Sequence, residues 1–204
     1  MKLQGLDRLR GRGEQPTEPI VAIEPATQEF VAYGVDCVIR GTIALGATRL
    51  TDLLNDHDEL ILGDVRVAAF GSPEEAPVAS VVVPRDEVLL IHASGSRGDA
   101  QRRRRTMQHP VAMQVGPYHV RGYLHALPGT EPVSSFIHRQ SMVPLTNAWI
   151  EFMDGKVQRR DRIDVLVVNR QQVDWVVRAS GNEVEMPDLP LKAIIQQPLK
   201  PIGT

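Results

Sequence analysis

The sequence predicts a mainly β protein made of two tandem small β-barrel-like units from an internal duplication, each with one short helical turn. Three observations predict it. Four sequence blocks recur in the same order in the two halves of the 204-residue chain, the signature of a repeated supersecondary unit. The blocks are short runs of Val, Ile, Leu and Thr bounded by Gly, Pro, Asp and Asn, the punctuation of strands rather than of long helices. Each copy then closes on Ala-Ser-Gly, at 93 to 95 and at 179 to 181.

The first block is Val38-Ile39-Arg40-Gly41-Thr42-Ile43-Ala44-Leu45 against His119-Val120-Arg121-Gly122-Tyr123-Leu124-His125-Ala126-Leu127, an Arg-Gly pair leading into an apolar run. Alternation upstream of it, with Val35, Cys37 and Ile39 on one face and Asp36 and Arg40 on the other, predicts a half-buried strand with Cys37 as a small core residue. Next, Leu50-Thr51-Asp52-Leu53-Leu54 matches Val133-Ser134-Ser135-Phe136-Ile137, one apolar, two polar and two apolar residues, which predicts a single helical turn in each copy. Leu60 to Val67 then matches Val143 to Ile150, and Val81 to Val88 matches Leu166 to Val173, giving further strands. Phe70-Gly71-Ser72-Pro73-Glu74 and Asp154-Gly155-Lys156 read as hairpin loops, the second with the Asp-Gly pair that suits a tight turn. Each unit is thus a strand, a helical turn and three strands, and closure into a small barrel removes the edges that invite aggregation. The rival arrangement is one double-layered sheet to which each copy donates half.

The boundaries follow from composition. Residues 1–32 are an N-terminal extension, 33–95 the first repeat, 96–109 a basic linker, 110–181 the second repeat and 182–204 a Pro-rich tail. The tail interleaves Leu189, Leu191, Ile194, Ile195, Leu199 and Ile202 with prolines that hold it extended, so these six are candidates for docking on a partner. The single cysteine supports no internal disulfide, no apolar run reaches the length of a membrane helix, and the N-terminus lacks the features of a signal peptide. A cytoplasmic protein is expected.

The line Ile163-Asp164-Val165-Leu166-Val167-Val168-Asn169-Arg170-Gln171-Gln172-Val173, after a helical turn and Leu145-Thr146-Asn147-Ala148, resembles a bacterial domain of unknown function, which implies no activity. Val81-Val82-Val83-Pro84-Arg85-Asp86-Glu87-Val88-Leu89-Leu90-Ile91, an apolar strand, a basic turn and a second apolar strand, resembles the second motif of the Sm-like small β-barrels, and the Arg-Gly strand resembles their first. This resemblance implies an Sm/SH3-like fold, with Asn55 and Arg85 facing RNA in the first copy and His138 and Arg170 at those places in the second. Pro84 and Asp86 depart from the Sm-like pattern around the arginine.

Chemistry is sparse. No Gly-rich phosphate loop, nucleophile elbow or zinc-ligand spacing occurs, so neither an enzyme nor a cofactor is expected. Asp56-His57-Asp58 reads as a solvated loop, because adjacent strand residues point to opposite faces. His119 and His125 stand about 20 Å apart at strand rise and do not share a metal. The sharpest feature is Arg102-Arg103-Arg104-Arg105, since clustered guanidinium groups bind phosphate or acidic side chains. A formal net charge of -2 and only 4% aromatic residues weigh against a dedicated nucleic-acid binder. The expected function is therefore a noncatalytic assembly or scaffold module whose partners are itself or other proteins. The alternative is an RNA- or DNA-binding regulator using Arg102 to Arg105, Arg85 and Arg170.

Overall fold

The runs of branched apolar residues do form strands. The computed structural model describes residues 27–45, 49–93 and 105–185. The first half contains β1 (Thr27–Tyr33), β2 (Cys37–Ala44), α1 (Leu50–Asp56), β3 (Glu59–Ala69), β4 (Glu75–Pro84), a one-turn 3-10 helix (Arg85–Glu87) and β5 (Leu90–Ala93). The second contains β6 (Met107–Val115), β7 (Tyr118–Ala126), α2 (Pro132–Ile137), β8 (Met142–Asp154), β9 (Val157–Asn169), a 3-10 turn (Arg170–Gln172), β10 (Val173–Arg178) and α3 (Gly181–Glu185). Both predicted hairpin loops lie where expected, between β3 and β4 and between β8 and β9. Each half has one strand more than expected at its start. β1 begins inside the segment read as an extension, and β6 begins inside the segment read as a linker.

The expectation of two separate closed barrels is corrected. All ten strands form one open antiparallel sheet in the order β10-β6-β7-β8-β9-β5-β1-β2-β3-β4. The physical reason lies in β5, whose four residues use both edges. It pairs with β1 through Leu90↔Tyr33 to Ala93↔Phe30, and with β9 through Leu90↔Val168, Ile91↔Val167 and His92↔Leu166. Joining the halves edge to edge satisfies the backbone groups that closure of each half would have satisfied.

The strand order is the same in both halves, 5-1-2-3-4 and 10-6-7-8-9. So are its irregularities. The ladder slips between Arg40 and Thr42 and again between Arg121 and Tyr123, at the glycine of each Arg-Gly pair. A Cβ on Gly41 would stand 2.7 Å from the Gly63 carbonyl oxygen, so the bulge and the close approach of β3 require the glycine. The extra residue of each bulge lies on the facing strand, β3 or β8, where a left-handed residue stands, Asp64 at φ 50° and Asn147 at φ 48°. Asp and Asn tolerate that conformation better than other side chains.

Alternation decides which faces are buried. On β3, Leu60, Leu62 and Val65 point inward; on β8, Val143, Leu145, Ala148, Ile150 and Phe152 do. Two cores result, and each crosses between halves. Phe30, Ile43, Leu54, Leu60, Leu62 and Ile91 take in Met142 and Val167 from the second half. The larger core of the second half takes in Tyr33, Val38, Leu89 and Leu90 from the first. The predicted face of β2 is corrected in part. Ile39 packs half-buried against the first of these cores, Cys37 is only half-buried, Val35 is 66% exposed ahead of the strand, and Val38 on the other face is buried in the larger core. Pairing of Tyr33 with Val38 places those two residues on the side of that larger core.

Candidate assembly interface

The junction between the halves is built on the β5–β9 ladder and locked by three amide side chains. Asn169, fully buried at the end of β9, donates its backbone N–H to the Leu89 carbonyl at 2.9 Å and its Nδ2 to the Val88 carbonyl at 3.0 Å. Its Oδ1 accepts from Gln171 N at 3.1 Å and caps the following 3-10 turn. Gln172 donates Nε2 to the Asp86 carbonyl at 3.0 Å. From the other side, Asn55 near the end of α1 donates Nδ2 to the Met142 carbonyl at 3.1 Å and accepts Met142 N at 3.0 Å. A primary amide suits this place because it presents a donor and an acceptor side by side, as a backbone does.

The tips of two hairpins meet over the larger core. Gly71 N donates to Asp154 Oδ1 at 2.7 Å, and Phe70 stacks on Phe152 with ring centroids 5.3 Å apart. The Gly71 N–H, with Arg159 beside it, holds the Asp154 carboxyl below the usual carboxylate range. A cleft of about 380 Å³ opens beside these tips. At its lip Arg40 pairs with Glu75 at 3.3 Å and Arg159 with Asp154 at 3.2 Å.

Two outer edges remain, β4 and β10. Counting from the shared landmarks, Gly41 with Gly122, Asp64 with Asn147 and Arg85 with Arg170, each residue of the outer β4 edge has a counterpart on the covered β9 edge. Val82, paired with Ile61, corresponds to Val167, paired with Pro144. Val167 is 1% exposed, in one core with Leu54 of α1 and Ile91 of β5, whereas Val82 is 54% exposed and Ile61 69%. Pro84 stands where the second half has Asn169.

The arginines named from the sequence do not gather into one surface. Arg85 is held by Asp58 at 3.0 Å and Asp86 at 3.2 Å, and donates to the His57 carbonyl at 3.4 Å. Arg170 is half-buried, with its Nε buried and lacking a hydrogen-bond partner. Arg105 is exposed just before β6, while Arg102, Arg103 and Arg104 lie outside the described residues. So do Leu189, Leu191, Ile194, Ile195, Leu199 and Ile202. Asn55, which the Sm-like resemblance places toward RNA, spends its amide on Met142. The junction residues Asn169 and Gln172 were missed as a site, although the Pro84-for-Asn169 difference between aligned blocks was a readable signal. Among the described residues no group of three or more His, Cys, Asp or Glu side chains is placed to hold a metal ion, and no helix is long and apolar enough to cross a membrane. No family model, curated protein or solved structure matches this chain.

Proposed function

We propose that this chain is a duplicated, noncatalytic assembly module that joins further copies of itself head to tail, β4 of one chain against β10 of the next. The observation that carries the reading is the contrast between Val167, covered inside the chain, and its counterpart Val82, left bare on an outer strand. The internal junction supplies the template. By the same register Val83, Val82 and Val81 would face Trp175, Val176 and Val177 of a second copy, as Val168, Val167 and Leu166 face Leu90, Ile91 and His92 within one chain. α2 of that copy would then cover Val82 and Ile61 as α1 covers Val167.

Each chain carries one edge of each kind, so the contact is heterologous and continues into a ring or a filament. Removing the bare Val82–Ile61 face from water is the driving term, since an exposed apolar patch on an open edge is otherwise a liability. The test is light scattering and sedimentation of the wild-type chain and of V82R across a concentration series. The wild type is expected to grow by whole-chain steps, and V82R, altered at an exposed position, to remain a folded monomer. A wild-type chain that stays monomeric up to about 1 mM overturns the proposal.

A further inference from the structure

The two junctions are not chemically alike, and this inference rests on the head-to-tail reading. Inside the chain, five hydrogen bonds from Asn55, Asn169 and Gln172 cross from one half to the other. The same register positions at the outer edges hold His138, Pro84 and Glu87. Proline has no backbone N–H and no side-chain donor, so neither bond made by Asn169 has a counterpart at Pro84. A Glu87 carboxylate has no proton to give, so it meets the Gln171 carbonyl of the next chain with lone pairs on both sides, where Gln172 donates to Asp86. An imidazole at His138 offers one ring nitrogen toward the Glu59 backbone, and not the adjacent donor and acceptor that Asn55 presents to Met142.

We infer that Pro84, Glu87 and His138 are the residues that keep the chain-to-chain contact reversible while Asn169, Gln172 and Asn55 lock the matching contact within the chain. The apolar part of the interface is present at both places, through Val82 and Ile61 outside and Val167 inside. What differs is the polar clamp. Proline at the end of an outer strand also guards that edge against unregistered pairing. The arrangement makes the two-half unit the permanent building block and leaves assembly responsive to concentration.

The experiment is P84N/E87Q/H138N, which writes the internal clamp into the outer edges, compared with wild type by sedimentation over a concentration series. The single variant E87Q, at an exposed position, serves as the form least able to disturb folding. The triple variant is expected to lower the assembly midpoint at least tenfold, E87Q to move it in the same direction by less, and V82R added to the triple variant to return it to monomer. If wild type assembles and neither variant lowers the midpoint, the inference is overturned and the head-to-tail reading stands. If neither wild type nor the triple variant assembles, both fall.

Discussion

Asn55 in α1 and Met142 at the start of β8, 87 positions apart in sequence, hold each other by a pair of hydrogen bonds that mimics one rung of a β-ladder. Asn55 Nδ2 also bonds the Thr51 carbonyl at 2.8 Å, so the same amide closes the end of its own helix. Through this residue the helix of the first half is fixed against the second half's β8.

Replacing Asn55 by Ala leaves the amide and carbonyl of the buried Met142 without their partners. The expected loss is about 1–3 kcal/mol in chemical denaturation. Asn55→Asp keeps the acceptor for Met142 N but turns a second oxygen toward the Met142 carbonyl, so it is expected to recover little of the loss. A midpoint equal to wild type for both variants would show that the clamp is incidental.

Asn169 is the more deeply placed amide. Asn169→Ala strands the buried Val88 carbonyl and removes the cap from the Gln171 N–H, with an expected cost of about 1–3 kcal/mol. Asn169→Pro, which copies the residue at position 84, also removes the backbone donor to Leu89 and is expected to cost more than Ala. Guanidinium titrations of the two variants check the order, and a proline variant as stable as the alanine one would refute the backbone bond's part in it.

Two left-handed glycines separate conformation from contact. Gly129 has φ 80° with no neighbour within 4 Å of where a Cβ would stand, whereas Gly155 has φ 61° and its Cβ would stand 2.8 Å from Gly71 Cα. Gly129→Ala therefore carries only the backbone cost, about 1 kcal/mol. Gly155→Ala also forces the hairpin tips apart and is expected to cost at least twice as much in thermal unfolding. Equal losses would mean that the tips part freely.

His125 gives the fold an acid limb. Burial pushes its imidazole below the ordinary range, and the Arg139 guanidinium, which donates to the His125 carbonyl, pushes the same way. Its ring nitrogens lie 2.9 Å from Thr146 Oγ1 and 3.2 Å from Thr106 Oγ1. Because the folded state binds the proton less tightly than the unfolded chain, this contribution is complete above about pH 6.5 and is lost as pH falls through the lowered folded value. His125→Gln should flatten the stability profile as pH falls below about 6.5. A variant that keeps the full acid slope would assign that slope to other groups.

The strands were legible because their cause is local. The β-branched runs, the Asp-Gly turn at 154 to 155 and the Arg-Gly pairs at 40 to 41 and 121 to 122 each specify backbone geometry within a few residues, and the Arg-Gly pairs face the two bulges. Cys37 was misplaced because simple alternation from Val35 ignores the turn before β2. Both faces of β2 meet core, Val38 with Tyr33 on one side and Ile39 with Ala32 on the other, and Cys37 lies at the strand's start, where cover is partial. The clamp was only half legible. Asn55 and Asn169 are ordinary polar residues until a distant backbone is brought against them.

By itself the sequence determined a chain of short strands with a short helix after each Arg-Gly strand, since period-two patterning and turn chemistry act between near neighbours. Only the tertiary structure decided that the halves share a single open sheet. β5 presents the same four residues whether it closes its own half or reaches β9, and the choice is made by pairings more than 70 positions apart, such as Leu90 with Val168 and Ile91 with Val167. No local propensity encodes such a pairing. It is selected because it covers Val167 and Met142 with α1, satisfies Asn169 against Val88 and Leu89, and leaves β4 and β10 as the two outer edges.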